Sequence, residues 1–417
     1  MPTLISIVMR SLTVPMSSFG VGLIALALFA LPTSGHAASA VAARVQVDAG
    51  FPGGNIILER IEGDNVYLNP DLRETAGKWF YWCFRVRGAG GRTMTFKFTA
   101  ANPVGMRGPA VSMDGGLSWK WLGMDHATIS SFSFTFPAGA TEVLFSVGMT
   151  YTEQNLRSFI ARTGRRPDFV VDTLGRSEHG RSVELLRVGH GGASPRHRVA
   201  ITARHHACEM MASYVLEGIV EGILADNRTG QWLRENVAFL LVPFMDKDGV
   251  EEGLQGKNRL PHDPGRDYVG PSHYPNVAAL KKLLPEWSGG KLRIALDLHC
   301  PALRGKNADR LHFVGGPVPE IWTRVGRFGD VLARGQAGPL VFNAEDNVPH
   351  GTSWNTLSEP KSFNLWAAQL PGISFSTTLE IPYADVRGRE VNAETARALG
   401  HDLAAAIRQY LASEFPP

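Results

Sequence analysis

From Phe169 onward, short apolar runs alternate with segments of helical periodicity, and this alternation restricts the possible folds more than any other feature. Ser182 to Val188, Val199 to Thr202, Phe239 to Val242, Ile294 to Leu298 and Phe375 to Ile381 read as strands. Met210 to Leu224, Pro319 to Ala333 and Ala393 to Leu411 carry apolar residues at helical spacing and read as helices. Strands that stay apolar rather than alternating are covered on both faces, so the expected architecture is α/β, a mixed and mostly parallel sheet flanked by helices. In such sheets functional groups collect beyond the carboxyl ends of the strands.

The preceding region has a different texture. Between Val45 and Tyr151, runs such as Asn55 to Leu58, Trp79 to Val86, Met94 to Phe98, Phe132 to Phe136 and Val143 to Val147 are separated by Gly and Pro clusters. Short strands with regular turn signals predict an antiparallel β-sandwich, with the period-two aromatics as its core. Tyr151 to Arg166 is more helical, and Gly164-Arg165-Arg166-Pro167 then punctuates the chain. A length of 417 residues favours two domains, since single cores stop growing at roughly 250–300 residues. The expected division is a sandwich over 39–155 and an α/β domain over 156–417.

Residues 1–38 stand apart from both. Arg10 is their only charged residue, Phe19 to Leu31 is apolar, and small residues follow around Ala37-Ala38. This is the pattern of a cleaved signal peptide, with an uncleaved membrane anchor as the alternative if the apolar run is extended towards Val14, and it predicts a periplasmic or secreted protein with no membrane span after cleavage. A net charge of +3, with basic residues scattered rather than clustered, argues against nucleic acid as a partner. Three cysteines are too few for a disulfide scaffold. Cys208 and Cys300 either pair or pack as small apolar residues.

Chemistry-bearing residues gather where the strands end. His206 and Glu209, three residues apart, follow the strand Val199 to Thr202, and His299 ends the strand Ile294 to Leu298. Taken singly, each reads equally as a surface histidine or a carboxylate at a helix start. Taken together, two imidazoles and a carboxylate form a three-ligand set that leaves a fourth zinc position for water. Glu380 lies inside the apolar run Thr377 to Ile381, where an isolated carboxylate is paired or functional; general base is the functional reading. The polar loop after Val242 carries Arg259 and Arg266, cationic forks for a carboxylate or an oxyanion, or else solvated charges.

Arg204 to Glu209, Asp246-Lys247-Asp248-Gly249-Val250, Gly256-Lys257-Asn258-Arg259, Asp263 to Tyr268, Asp297-Leu298-His299 and Thr378-Leu379-Glu380 resemble, in order, the motifs of the zinc carboxypeptidase family, peptidase family M14. The β-rich segment, with Trp79-Phe80-Tyr81 and Tyr151-Thr152, is similar to the N-terminal sandwich of the cytosolic-carboxypeptidase branch. The resemblance implies one Zn²⁺ per chain held by His206, Glu209 and His299, with Glu380 as base and Arg259 holding the oxyanion. It further implies that Arg266 and Asn258 bind substrate and that Asp263 orients the first zinc histidine. The implied partner is a peptide or protein with a free C-terminus, cleaved at a C-terminal peptide or isopeptide bond. Two departures stand out: Gly265 where the family usually has Asn, and Asp246-Lys247 where it has Asn-Pro. The specificity pocket is expected from Ser353 to Pro371, with Phe363, Leu365 and Trp366 as an apolar wall or Lys361 as an acid-binding group.

Rival readings keep the same fold. A zinc amidase or deacylase, or a cell-wall peptide hydrolase, shares the ligand set, and a non-catalytic glycan- or protein-binding protein would use the sandwich. No G-x-S-x-G elbow occurs, which disfavours a serine hydrolase, and H-E-x-x-H is absent as well.

Overall fold

The computed structural model describes residues 44–189, 195–356 and 358–416, so the export segment expected over 1–38 lies outside the described residues. Nine strands come first: β1 (Gln46–Asp48), β2 (Ile57–Glu62), β3 (Asn65–Asn69), β4 (Cys83–Arg87), β5 (Thr93–Phe98), β6 (Ala110–Ser112), β7 (Lys120–Trp121), β8 (Ser131–Thr135) and β9 (Glu142–Ser146). They form sheets of order β1-β4-β9-β6-β7 and β2-β3-β5-β8. The buried rings of Phe84, Phe96, Phe132 and Phe145 pack between them, with Phe96 and Phe132 stacked at 4.9 Å. One pairing departs from the antiparallel sandwich expected: β3 and β5 run parallel. The chain crosses to β4 in the other sheet between them, and strand runs in a sequence carry no direction. Trp79 to Trp82, read as strand, precede β4 instead.

Helix α1 (Glu153–Thr163) leads into the α/β region. Its elements are β10 (Phe169–Arg176), β11 (Ser182–Gly189), β12 (His197–Ala203), α2 (Met211–Leu224), α3 (Arg228–Asn236), β13 (Val237–Val242), α4 (Lys247–Glu252), α5 (Pro275–Ser288), β14 (Leu292–His299), β15 (His312–Val314), α6 (Pro319–Gly335), α7 (Phe363–Ala367), β16 (Phe375–Glu380) and α8 (Ala393–Glu414). The sheet order is β10-β11-β13-β12-β14-β16-β15. It is mixed, with β13, β12, β14 and β16 parallel at the centre and antiparallel pairings toward both edges. Parallel pairing is thus confined to the four central strands, which suits strands buried on both faces.

Helix α2 is buried along almost its whole length, between the sheet and α8. Gly218 permits that crossing, since a Cβ there would stand 2.1 Å from the Arg397 carbonyl oxygen. Ala43 to Pro417 forms one compact unit, and one apolar cluster runs from Val45 to Leu411. Polar links join the β-rich and α/β parts: Asn55 Nδ2 donates to the Gly253 carbonyl (2.7 Å), and Trp121 Nε1 to that of Val391 (2.8 Å). No helix of the described residues is long and apolar enough to cross a membrane.

Candidate metal centre

Three central parallel strands deliver their carboxyl ends side by side. In register, Ala203 of β12 lies opposite Leu298 of β14, and His299 of β14 opposite Glu380 of β16. After β12 the chain turns sharply at Arg204, whose φ is +61°. The turn holds because the buried Arg204 guanidinium donates to the carbonyls of Ala207 and Tyr151 and to Ser213 Oγ, each at 3.0 Å. Glu209 N–H donates to the His206 carbonyl, and α2 starts only at Met211. The His206–Glu209 pair therefore sits on a braced turn ahead of the helix.

His206, Glu209 and His299 offer ligand atoms that all lie within 4.8 Å of one another. His206 Nδ1 is 3.0 Å from Glu209 Oε1, and His299 Nδ1 is 2.8 Å from Oε2. The second contact lacks hydrogen-bond geometry, and Oε2 is buried without a hydrogen-bond partner. The outer nitrogens are held by carboxylates: His206 Nε2 lies 3.3 Å from Asp263 Oδ1 and His299 Nε2 2.8 Å from Asp297 Oδ2. Imidazoles aimed by carboxylates, around a carboxylate with an unused oxygen, are the donor set and outer support that zinc takes. The residues present fit that ion.

Burial alone would push the imidazolium forms of His206 and His299 down. The carboxylates of Glu209 and Asp263 outweigh it for the first, and those of Asp297 and Glu209 for the second, so both are raised. Burial likewise disfavours ionised Glu209, but Lys257, His299 and His206 hold it well below the usual carboxylate range. Two other groupings have the spacing for a metal. In one, Asp297 Oδ1 already accepts from Thr202 Oγ1 and His205 Nδ1 while Oδ2 faces His299. In the other, Asp248 and Glu252 are taken up by Arg181.

Two adjoining clefts open on the ligand set, and His206, Arg266, Trp354 and Glu380 line both. Glu380 is 8% exposed and its Oε2 has no hydrogen-bond partner. Asn258 lines one cleft, and its N–H donates to Asp263 Oδ2 at 3.0 Å. Arg259 is not brought to either cleft. Its guanidinium is buried against Asp246 Oδ1 (2.5 Å) and Glu74 Oε2 (3.3 Å). A cation with two carboxylates beside it is held in an internal ion pair, away from the oxyanion position expected for it. Gly265 has its own cause, because a Cβ would stand 2.7 Å from His206 Nε2. A side chain there would force the His206 ring or the backbone to shift.

The expected pocket segment contributes Trp354, Asn355, Ser362, Asn364 and Leu365. Phe363 is instead fully buried beside Tyr268, and Trp366 packs against the same cluster. Lys361 lies on a third cleft with Arg266 and pairs with Glu359 at 2.7 Å. The wall is therefore mixed and largely uncharged rather than apolar. Cys208 and Cys300 are free and buried, without a disulfide.

Sequence reading gave no role to Asp297, His205 or Lys257. A strand places residues two apart on one face, so Asp297 two before His299 was the available signal. His205 carries the support outward, with Nε2 2.7 Å from Tyr268 Oη. Lys257 lies inside the Gly256 to Arg259 motif, but only the fold brings it against Glu209.

A family model described as "Zinc carboxypeptidase" matches residues 156–271. An uncharacterised protein of Zymomonas mobilis is 26% identical over 237 residues, 55% of this chain and 60% of its own length. Cytosolic carboxypeptidase 6 of Caenorhabditis elegans is 24% identical over 267 residues, 56% and 57% of the two chains. The chain thus spans somewhat under two thirds of these relatives. A metallo-carboxypeptidase of Burkholderia cenocepacia shares the fold at a TM-score of 0.75 and 22% identity, over 89% of this chain and all of the other. One from Pseudomonas aeruginosa, in complex with (2-guanidinoethylmercapto)succinic acid, does so at 0.73 and 22%, covering 88% of this chain and 99% of the other.

Proposed function

We propose that the chain is a member of the zinc carboxypeptidase family, an exported zinc metallocarboxypeptidase acting on C-terminal peptide or isopeptide bonds. His206, Glu209 and His299 hold the ion in this reading, which supplies a Lewis acid that acidifies water and polarises a carbonyl. Glu380 takes the proton of the attacking water at its unpartnered Oε2 and passes it to the leaving amine nitrogen. Arg266 grips the substrate carboxylate with a guanidinium fork, and Asn258 lines the approach. Asp263 and Asp297 keep the two imidazoles aimed. The apolar run over Phe19 to Leu31 supports export.

The observation that carries the reading is a buried carboxylate with a free oxygen, in register with a candidate ligand and lining its cleft. The test is hydrolysis of a peptide library with mass readout, with and without a zinc chelator, on free and amidated C-termini. Loss of one residue from free C-termini only, abolished by chelator, is expected. Equal cleavage of amidated peptides or of N-acyl amino acids would move the assignment to an amidase or deacylase. A purified chain without metal or turnover would leave a binding protein.

A further inference from the structure

We propose that Lys257, rather than Arg259, is the cation that meets the negative charge developing on the substrate's carbonyl oxygen. The inference rests on the hydrolytic reading above. Attack on an amide carbonyl moves charge onto its oxygen, and a fixed donor aimed there lowers the barrier. Among the described residues, Lys257, Arg266 and Lys306 line the two clefts, and Arg259 follows cleft-lining Asn258 in the chain. Arg259 is committed to Asp246 and Glu74, Arg266 is placed for the terminal carboxylate, and Lys306 is exposed.

Lys257 alone stands against the ligand set. Its Nζ lies 2.7 Å from Glu209 Oε1 and donates to the Cys300 carbonyl at 2.9 Å. An ammonium has three N–H donors, so one remains, and no protein acceptor takes it among the described residues. The side chain lines the cleft that also holds Glu380, with Nζ 5.6 Å from the centre of the Trp79 ring. Its backbone is fixed as well. Gly256 has a φ of +79° and packs so tightly on the His206–Ala207 peptide that a Cβ would come within 2.1 Å of Ala207 N. Cys208 N–H donates to the neighbouring Gln255 carbonyl. The loop bearing Lys257 is thereby bonded to the turn bearing the ligands, and the ammonium is placed before substrate arrives.

The plain alternative is that Lys257 only neutralises Glu209. Zinc-loaded wild type, Lys257→Met, Lys257→Arg and Arg259→Lys separate the two roles through zinc content, kcat/KM and two dissociation constants. One constant is for a phosphonate analogue of the cleaved peptide, whose tetrahedral oxyanion imitates the transition state; the other is for the product amino acid. Lys257→Met is expected to keep its zinc and its product affinity, and to lose roughly 10²–10³-fold in kcat/KM and in phosphonate affinity together. Lys257→Arg should recover part of both. Unchanged phosphonate affinity in Lys257→Met overturns the inference. Loss of zinc from that variant does so too, making the lysine a counter-ion, as does a larger loss in Arg259→Lys. A wild type that neither hydrolyses peptides nor binds the phosphonate sinks the hydrolytic reading itself.

Discussion

Single atoms decide most of what this site can do. Glu380 Oε2 is buried without a hydrogen-bond partner beside the candidate ligand set, so exchanging that oxygen for an amide removes the proposed base and leaves the proposed ligands. Glu380→Gln should retain zinc by metal analysis and lose on the order of 10²–10⁴ in kcat. Gly265 is equally specific. Restoring the asparagine usual in the family looks like a gain of a substrate contact, yet the new Cβ would press on His206 Nε2 at 2.7 Å. Gly265→Asn should weaken zinc binding by about 10–100-fold in chelator competition, the scale of damage seen when the support behind a ligand is lost. Sequence could name these residues, because strand ends and spacing are local. It could not show that a side chain before Arg266 would press on His206.

Among the elements, the crossing of α2 and α8 carries the ligand-bearing turn on a firm base. Gly218 faces the Arg397 backbone, where a methyl group would stand 2.1 Å from the carbonyl oxygen. Gly218→Ala should cost about 1–3 kcal/mol in urea unfolding, because the helices would have to separate. Gly326 of α6 is the control: nothing lies within 4 Å of its added Cβ, so Gly326→Ala should stabilise by roughly 0.5–1 kcal/mol through helix propensity. The helical spacing of Met210 to Leu224 places α2 but does not show that it is buried all round. Helical spacing marks one apolar face, while α8 covers the other from nearly two hundred residues away in the chain.

Across the whole molecule, one cluster of buried residues ties the β-rich part to the α/β part. Tyr151 Oη donates to Glu217 Oε1 of α2, and Gln255 exchanges hydrogen bonds with the Tyr81 backbone. A chain beginning at Glu153 should therefore lack the cooperative unfolding transition of the full protein, as followed by circular dichroism. Global stability should also depend on His197. Burial, and then the charges of Arg196 and Arg293, push its imidazole down from the ordinary 6.5 to about 4. Between those values the unfolded chain binds the proton and the folded one does not. Stability from this group is thus complete above about 6.5 and falls as pH drops through that window, by on the order of 3 kcal/mol. His197→Phe, keeping a ring beside Trp232 and Phe415, should flatten the pH dependence of the unfolding midpoint.

The sequence by itself determined the central strands, the long helices and the ordered motifs, because apolar periodicity and spacing are properties of neighbouring residues. It also determined that His206, Glu209, His299 and Glu380 stand at strand ends. The tertiary structure alone decided that β3 and β5 run parallel, that Arg259 turns inward to Asp246, and that Lys257 arrives against Glu209. Each of those depends on where a distant segment lands. Charge placement in particular follows the nearest buried partner in space, and a linear pattern carries no record of it.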